Sequence, residues 1–291
     1  MMALPRRVSS FPPHIKYIKV MQIMPNRSFK QEIQIPQNIQ DAHGTPQNKV
    51  IVVIPARYQS SRFPGKPLAK LLGKPMIQWV YERVLLTDGL DNVFVATDDE
   101  RIFNCVKSFG GEAIMTGECS CGTDRIYQAI KYFSCDIVVN VQGDEPTIDP
   151  SEISQLIHAF DDPSVKMATL KKRIIEPEDI DNPNVVKVIT NLNNDALYFS
   201  RNRIPCDIRS EESVSYFRHI GVYAYKKDFL EVFVKLPLST HERIEKLEQL
   251  RALDNGYKIR VLETEFDNIG VDSEEDIIKA EEAIKTLQEL K

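Results

Sequence analysis

Three cations in a stretch without acids can grip a phosphate chain, and residues 55–67 carry such a set: Arg57, Arg62 and Lys66. An arginine presents a planar fork to phosphate oxygens, a lysine a compact charge, and Gly65 allows close backbone approach. Neither G-x-x-x-x-G-K-[ST] nor G-x-G-x-x-G occurs in the chain, so a phosphate site here relies on side chains more than on a helix N-terminus. A solvated basic loop is the competing reading. Asp144, in Gln142-Gly143-Asp144-Glu145-Pro146, is either a turn residue bonded to its own backbone or a ligand of Mg²⁺, which favours one or two carboxylates plus phosphate oxygens. Asp272, in Asn268-Ile269-Gly270-Val271-Asp272, reads as a helix N-cap boxed by Glu275, with ligation of the same metal as a role that capping does not exclude.

Other polar groups sit where a substrate pocket could use them. Strand alternation puts His219, Gly221, Tyr223 and Tyr225 on one face, a lining for a sugar or a structural histidine with its neighbours. Arg201, after Tyr198-Phe199-Ser200, suits a substrate carboxylate or a surface ion pair. Glu245 and Glu248 are expected on one helix face, with Arg251 as the ion partner at i, i+3.

These residues need a scaffold that brings distant segments to one rim. Val50-Ile51-Val52-Val53-Ile54 is a run of β-branched apolar residues that reads as a strand buried on both faces, and Pro55 ends it. Strands over 92–97, 112–116 and 136–142 alternate with helices beginning near Pro75, Asp98 and Thr123, which predicts a doubly wound, mainly parallel α/β sheet. Ligands of such sheets sit beyond the strands' carboxyl ends, where the cationic loop and Asp144 both fall. From 165 to 235 the rhythm turns strand-rich, which suggests a β-rich insertion or lid. A helix from about His241 to Leu253, a strand over 257–263 and a helix from Ser273 to Leu290 return the chain to α/β.

A chain of 291 residues with 42% apolar and 27% charged residues is a soluble globular protein of one large or two modest domains. The net charge of −5 argues against nucleic acid as a partner, so an anion must be met by a local positive site. Five cysteines without framework spacing point to a reducing, cytoplasmic compartment, and Cys119-Ser120-Cys121 lacks the partners of a zinc set. No run is long enough for a membrane span. Residues 1–48, proline-rich and with six cations before the first acid, Glu32, are expected to be a disordered tail, with a transit peptide or an upstream start as alternatives, ahead of one domain over 49–291.

The motif A-R-x-x-S-x-R-x-P-G-K-P at 56–67 resembles the signature of the 3-deoxy-manno-octulosonate (Kdo) cytidylyltransferases, the CMP-Kdo synthetases. Val-Ala-Thr-Asp-Asp at 95–99, Val-Asn-Val-Gln-Gly-Asp-Glu-Pro at 139–146, Ala-Leu-Tyr-Phe-Ser-Arg at 196–201, His-Ile-Gly-Val-Tyr at 219–223, Leu-Glu-Gln-Leu-Arg at 247–251 and Gly-Val-Asp at 270–272 follow in the family's order, so the resemblance covers 50 to about 285. It implies a Rossmann-like nucleotidyltransferase fold, a homodimer, and transfer of CMP from CTP to the anomeric hydroxyl of Kdo for lipopolysaccharide synthesis. By the same resemblance Arg57, Arg62 and Lys66 hold the CTP phosphates, and Gly122 and Thr123 join the nucleotide pocket. Asp144 and Asp272 hold Mg²⁺, and Gln142, Arg201, His219, Tyr223, Glu248 and Gln249 bind Kdo. One departure is Cys121, where the family usually has Ser before Gly-Thr. The alternatives are a cytidylyltransferase for another sugar acid and a non-catalytic nucleotide-binding protein on the same fold; the intact Asp144 and Asp272 argue against the latter.

Overall fold

In a computed structural model the described residues are 48–59, 63–207 and 213–289, together with the backbone of Tyr17–Ile18 and Ile33–Gln34. The chain divides into residues 1–47 and 48–291. Of the first unit only one antiparallel pairing, Tyr17–Ile18 with Ile33–Gln34, is described, so the expected tail lies otherwise outside the described residues.

The second unit is built on a nine-stranded sheet, beside a two-stranded pairing of Lys70–Leu71 with Lys74–Pro75. Its strands are β1 (Val50–Ala56), β2 (Asn92–Thr97), β3 (Ala113–Met115), β4 (Ile137–Asn140), β5 (Met167–Arg173), β6 (Lys187–Thr190), β7 (Ala196–Ser200), β8 (Phe217–Lys226) and β9 (Arg260–Glu263). The order is β7-β6-β8-β4-β1-β2-β3, with β5 on the other edge of β8 and β9 beside β5. The pairings among β4, β1, β2 and β3 are parallel. The strand-rich stretch 165–235 is thus not a separate sheet. Its β8 is ten residues long and pairs antiparallel with β4 through Tyr223–Lys226, so it joins that stretch to the parallel core.

Burial explains the five apolar residues of β1, since every residue of this strand is buried. Val50, Val52, Ile54 and Ala56 face a core shared with α1 (Met76–Val84), α2 (Glu100–Ser108) and α4 (Pro150–His158). On the other face, α3 (Gly122–Ile130) starts beside Pro55, and Phe133 packs on Phe94 with centroids 5.1 Å apart. Helices therefore cover both faces, and each fully buried Val or Ile contributes roughly 1.5–3 kcal/mol relative to exposure. Among the described residues no helix is long and apolar enough to cross a membrane.

After α5 (Lys227–Phe233), the helix expected over 241–253 is two helices. α6 (Thr240–Glu245) ends at Lys246, whose φ of 56° is left-handed, and α7 (Leu250–Asp254) starts after a turn. Periodicity did not reveal this break, because a single left-handed residue leaves the apolar spacing nearly intact. The last helix, α8 (Asp276–Glu289), begins three residues later than expected.

Candidate active site

The cationic loop leaves β1 and returns through a tight turn. Gly65 has φ 74°, its N–H donates to Tyr58 O at 2.8 Å, and an added Cβ would lie 3.1 Å from the Tyr58 ring. Both features demand glycine. The Tyr58 ring lies 3.2 Å from the Arg101 guanidinium, which is forked onto Asp99, the N-cap of α2. So positioned, Lys66 Nζ donates to Asp144 Oδ2 at 2.6 Å and approaches Asp272 Oδ1 at 3.4 Å. One ammonium thus joins two carboxylates that are remote in sequence. Arg57 makes no hydrogen bond or ion pair among the described residues, whereas Arg62 lies outside them.

Asp144 stands at the carboxyl end of β4, after Gly143, where a Cβ would be 3.0 Å from Pro55 O. Its carbonyl accepts from Val271 N at 2.9 Å, which ties the Asp272 loop directly to it. The rest of that loop is fixed by buried polar groups of α4 and its approach. Thr264 Oγ1 and Asn268 Nδ2 donate to the two carboxylate oxygens of Glu152, and Ile269 N donates to Thr147 Oγ1 at 2.7 Å. Asp272 is not the N-cap of α8. Its N–H and that of Ser273 both donate to Asp276 Oδ2, at 3.0 and 2.9 Å, and the Asp272 carboxylate faces Lys66 instead. The capping expectation fails: the helix starts four residues after Asp272, and Asp276, its first residue, reaches back to the N–H groups of the preceding turn while the Asp272 side chain turns to Lys66.

Glu145, to which the sequence assigned nothing, lies behind these carboxylates and against Gly270, where an added Cβ would be 3.2 Å from Glu145 Oε1. Burial, then the Asp144 charge, push its carboxyl up to about 8. A neutral carboxyl here spares the cluster a third full negative charge at neutral pH.

A second group gathers at the start of α3. Cys121 is the N-cap, its Sγ accepting from Asp124 N at 3.4 Å, and burial followed by Glu248 pushes its thiol up to about 12. Thr123 Oγ1 donates to Glu248 Oε2 at 2.5 Å. Arg125, fully buried, spans Asp98 at 2.6 Å and Thr116 at 2.5 Å, so it locks the loops after β2 and β3 together. The sequence signal for Arg125 was a helical cation on an otherwise apolar face.

On β8, the His219, Tyr223 and Tyr225 rings follow one another, His219 tilted against Tyr223 at 5.3 Å and Tyr223 stacked on Tyr225 at 6.0 Å. The register against β5 skips two residues between Ile220 and Tyr223, which keeps parity, so the expected shared face survives the bulge. Burial pushes His219 down to about 3, and one ring nitrogen lies 3.0 Å from Thr169 Oγ1. The imidazole is therefore neutral near pH 7 and too weak a base to remove a proton there. Its ¹⁵N shifts are expected to remain those of a neutral ring from pH 8 down to about pH 4; a midpoint near 6.5 would contradict the burial. Because the folded value lies below the unfolded one, His219 costs stability as pH falls from about 6.5 towards 3.

Glu245 and Glu248 do not share a helix face, since the left-handed Lys246 lies between them. The Glu245 carboxylate accepts from Ser200 Oγ at 2.8 Å and Arg201 N at 3.0 Å, while Arg201 Nε donates to Glu245 O at 2.8 Å and Nη1 to Pro183 O at 3.0 Å. Arg201 is thus clasped by backbone and has less of its fork left for a ligand than expected. Beneath it Lys187, fully buried, donates to the carbonyls of Asn182, Val185 and Arg201. The principal partner of Arg251 is Glu242, with Glu248 Oε1 3.9 Å away. Gln142 Nε2 donates to Asn140 Oδ1 at 3.0 Å. Among the described residues five buried side-chain atoms have no hydrogen-bond partner: Arg125 Nε, Glu145 Oε2, Tyr223 Oη, Glu248 Oε1 and Gln249 Nε2. Each such atom costs about 1–3 kcal/mol unless a ligand or water meets it.

The cytidylyltransferase family profile matches residues 51–259. The 3-deoxy-manno-octulosonate cytidylyltransferase of Solibacter usitatus is 48% identical over 239 residues, spanning 81% of this chain and 95% of that protein. The 8-amino-3,8-dideoxy-manno-octulosonate cytidylyltransferase of a Shewanella species is 51% identical over 241 residues, 81% of this chain and 98% of that protein. Among solved structures, a CMP:2-keto-3-deoxy-manno-octonic acid synthetase complexed with CTP aligns with a TM-score of 0.78 at 44% identity, over 82% of this chain and 99% of that one.

Proposed function

The chain belongs to the cytidylyltransferase family, and we propose that it transfers CMP from CTP to the anomeric hydroxyl of Kdo, giving CMP-Kdo and pyrophosphate. The observation that carries the site assignment is the ammonium of Lys66 between Asp144 Oδ2 and Asp272 Oδ1, at the carboxyl rim of the sheet. Two carboxylates that converge on one cation fit a divalent ion shared with phosphate oxygens. Among the described residues no three of His, Cys, Asp and Glu are grouped to hold a metal by themselves, so the remaining ligands of such an ion come from substrate and water. Asp144 and Asp272 would hold Mg²⁺, which when bound supplies neutralising charge to the phosphates.

The chemistry is an in-line displacement at the α-phosphorus. The sugar's anomeric oxygen forms the new P–O bond, the bond to the β-phosphate oxygen breaks, pyrophosphate leaves with the electron pair, and the hydroxyl proton passes to solvent. Catalysis is then mostly alignment and charge neutralisation. Arg57 and Lys66, with Arg62, face the phosphate oxygens; Gly122 adjoins the nucleotide. Gln142, Tyr223, Glu248 and Gln249 bind the sugar hydroxyls, Arg201 faces its carboxylate, and neutral His219 lines the pocket. Three of the unpartnered atoms, Tyr223 Oη, Glu248 Oε1 and Gln249 Nε2, support the sugar side, because hydroxyls can both donate and accept there. The working unit is a cytoplasmic homodimer in this reading.

Folded protein with Mg²⁺, CTP and Kdo is expected to release pyrophosphate and form CMP-Kdo; no turnover would sink the proposal. The Shewanella relative favours a second reading, the 8-amino sugar as acceptor. Equal concentrations of both sugars decide between them, with Kdo expected to dominate the product.

A further inference from the structure

Thr123 is the second residue of α3, at a helix start expected to serve the nucleotide, yet its hydroxyl is committed elsewhere. It is 2% exposed, and its Oγ1 donates to Glu248 Oε2, from the turn between α6 and α7. Glu248 Oε1 is buried without a hydrogen-bond partner, like Tyr223 Oη and Gln249 Nε2. One oxygen of this carboxylate is therefore anchored while the other is left without a hydrogen-bond partner. The nearest cation, Arg251 Nη2, is 3.9 Å from Oε1 and is already paired with Glu242.

We propose that Thr123 is a positioning residue for the acceptor sugar, acting through Glu248: it holds Oε2 so that Oε1 meets a sugar hydroxyl. This rests on Glu248 as a sugar ligand, and it reassigns Thr123 from the nucleotide to the acceptor. The same bond ties the start of α3 to the turn between α6 and α7. A side chain of threonine's size without a hydroxyl would leave Glu248 free to rotate, and the loss would fall on sugar binding. A hydrogen bond to a charged group is worth roughly ten- to hundredfold in affinity.

The test is steady-state kinetics of Thr123→Val, with Thr123→Ala as a second hydroxyl-free form and Thr123→Ser as the conservative one, all checked for folding by thermal melting. Thr123→Val and Thr123→Ala are expected to raise KM for Kdo roughly tenfold or more. KM for CTP, and kcat at saturating sugar, should stay within about twofold, because this hydrogen bond touches neither the nucleotide nor the reacting atoms. Thr123→Ser should restore the sugar KM. Adding Thr123→Val to Glu248→Gln should cost little beyond Glu248→Gln alone, since both act on one contact. A rise in KM for CTP with an unchanged sugar KM overturns the proposal, as does a Thr123→Ser variant no better than Thr123→Val. If Glu248→Gln itself leaves the sugar KM unchanged, the assignment of Glu248 to the sugar is what fails.

Discussion

Asp144→Asn is expected to lower kcat/KM on the order of 10²–10³-fold while the protein stays folded. The substitution keeps the shape of the side chain and removes one of the two charges that face Lys66. Its stability cost is expected to be small. The Asp144 side chain is 32% exposed, so its bond to Lys66 is a partly solvated pair worth about 1 kcal/mol or less. Loss of a charge beside Asp272 and Glu145 also relieves repulsion. The catalytic cost is large because, in the proposed reaction, Asp144 offsets a cation that must in turn offset the phosphates. With one carboxylate gone, the Mg²⁺ concentration giving half-maximal rate should rise as well. Pyrophosphate release across a Mg²⁺ titration, with a melting curve of the same sample, measures both. Activity within about threefold of wild type at equal Mg²⁺ would end the assignment of Asp144 to the metal and favour the reading of a plain turn residue.

The α/β rhythm was legible because β1 and β4 are buried throughout and β2 in all but its first residue, which makes them almost wholly apolar. The rim position of Lys66 and Asp144 followed from where those strands end. Convergence of Asp144 with Asp272 came from the family resemblance and from no pattern in the residues, since it depends on a rail of contacts from Glu152, Thr147 and the Asp144 carbonyl, none of which leaves a periodic trace. Asp276 was masked by the stronger local pattern of Asp272 with Glu275. The break at Lys246 left no sign either, being one left-handed residue without glycine, held by tertiary contacts on both sides. Glu145 shows a further limit: the sequence locates an acid but not its burial, and burial decides its proton.

Arg251→Met is expected to cost about 3–5 kcal/mol of stability, the largest loss anticipated for one substitution in this site. Arg251 and Glu242 are each 8% exposed, and the guanidinium forks onto the carboxylate with Nε 2.9 Å from Oε2 and Nη2 2.6 Å from Oε1. Removing the cation leaves Glu242 with a buried charge, its carboxylate still accepting from Ser239 N at 3.3 Å in the capping box. The pair links α6 to α7 and so brackets the turn that carries Glu248 and Gln249; the surviving folded protein should also bind the sugar more weakly. Removing both charges should behave differently. Glu242→Leu with Arg251→Met leaves no uncompensated ion, and most of the lost stability should return, though the sugar KM should not, because the fork that fixed the turn is gone. Urea midpoints of the wild type, both single variants and the double variant close that cycle. A single-variant loss below about 1 kcal/mol would mean that water reaches the fork, and the turn would then need another explanation for its position.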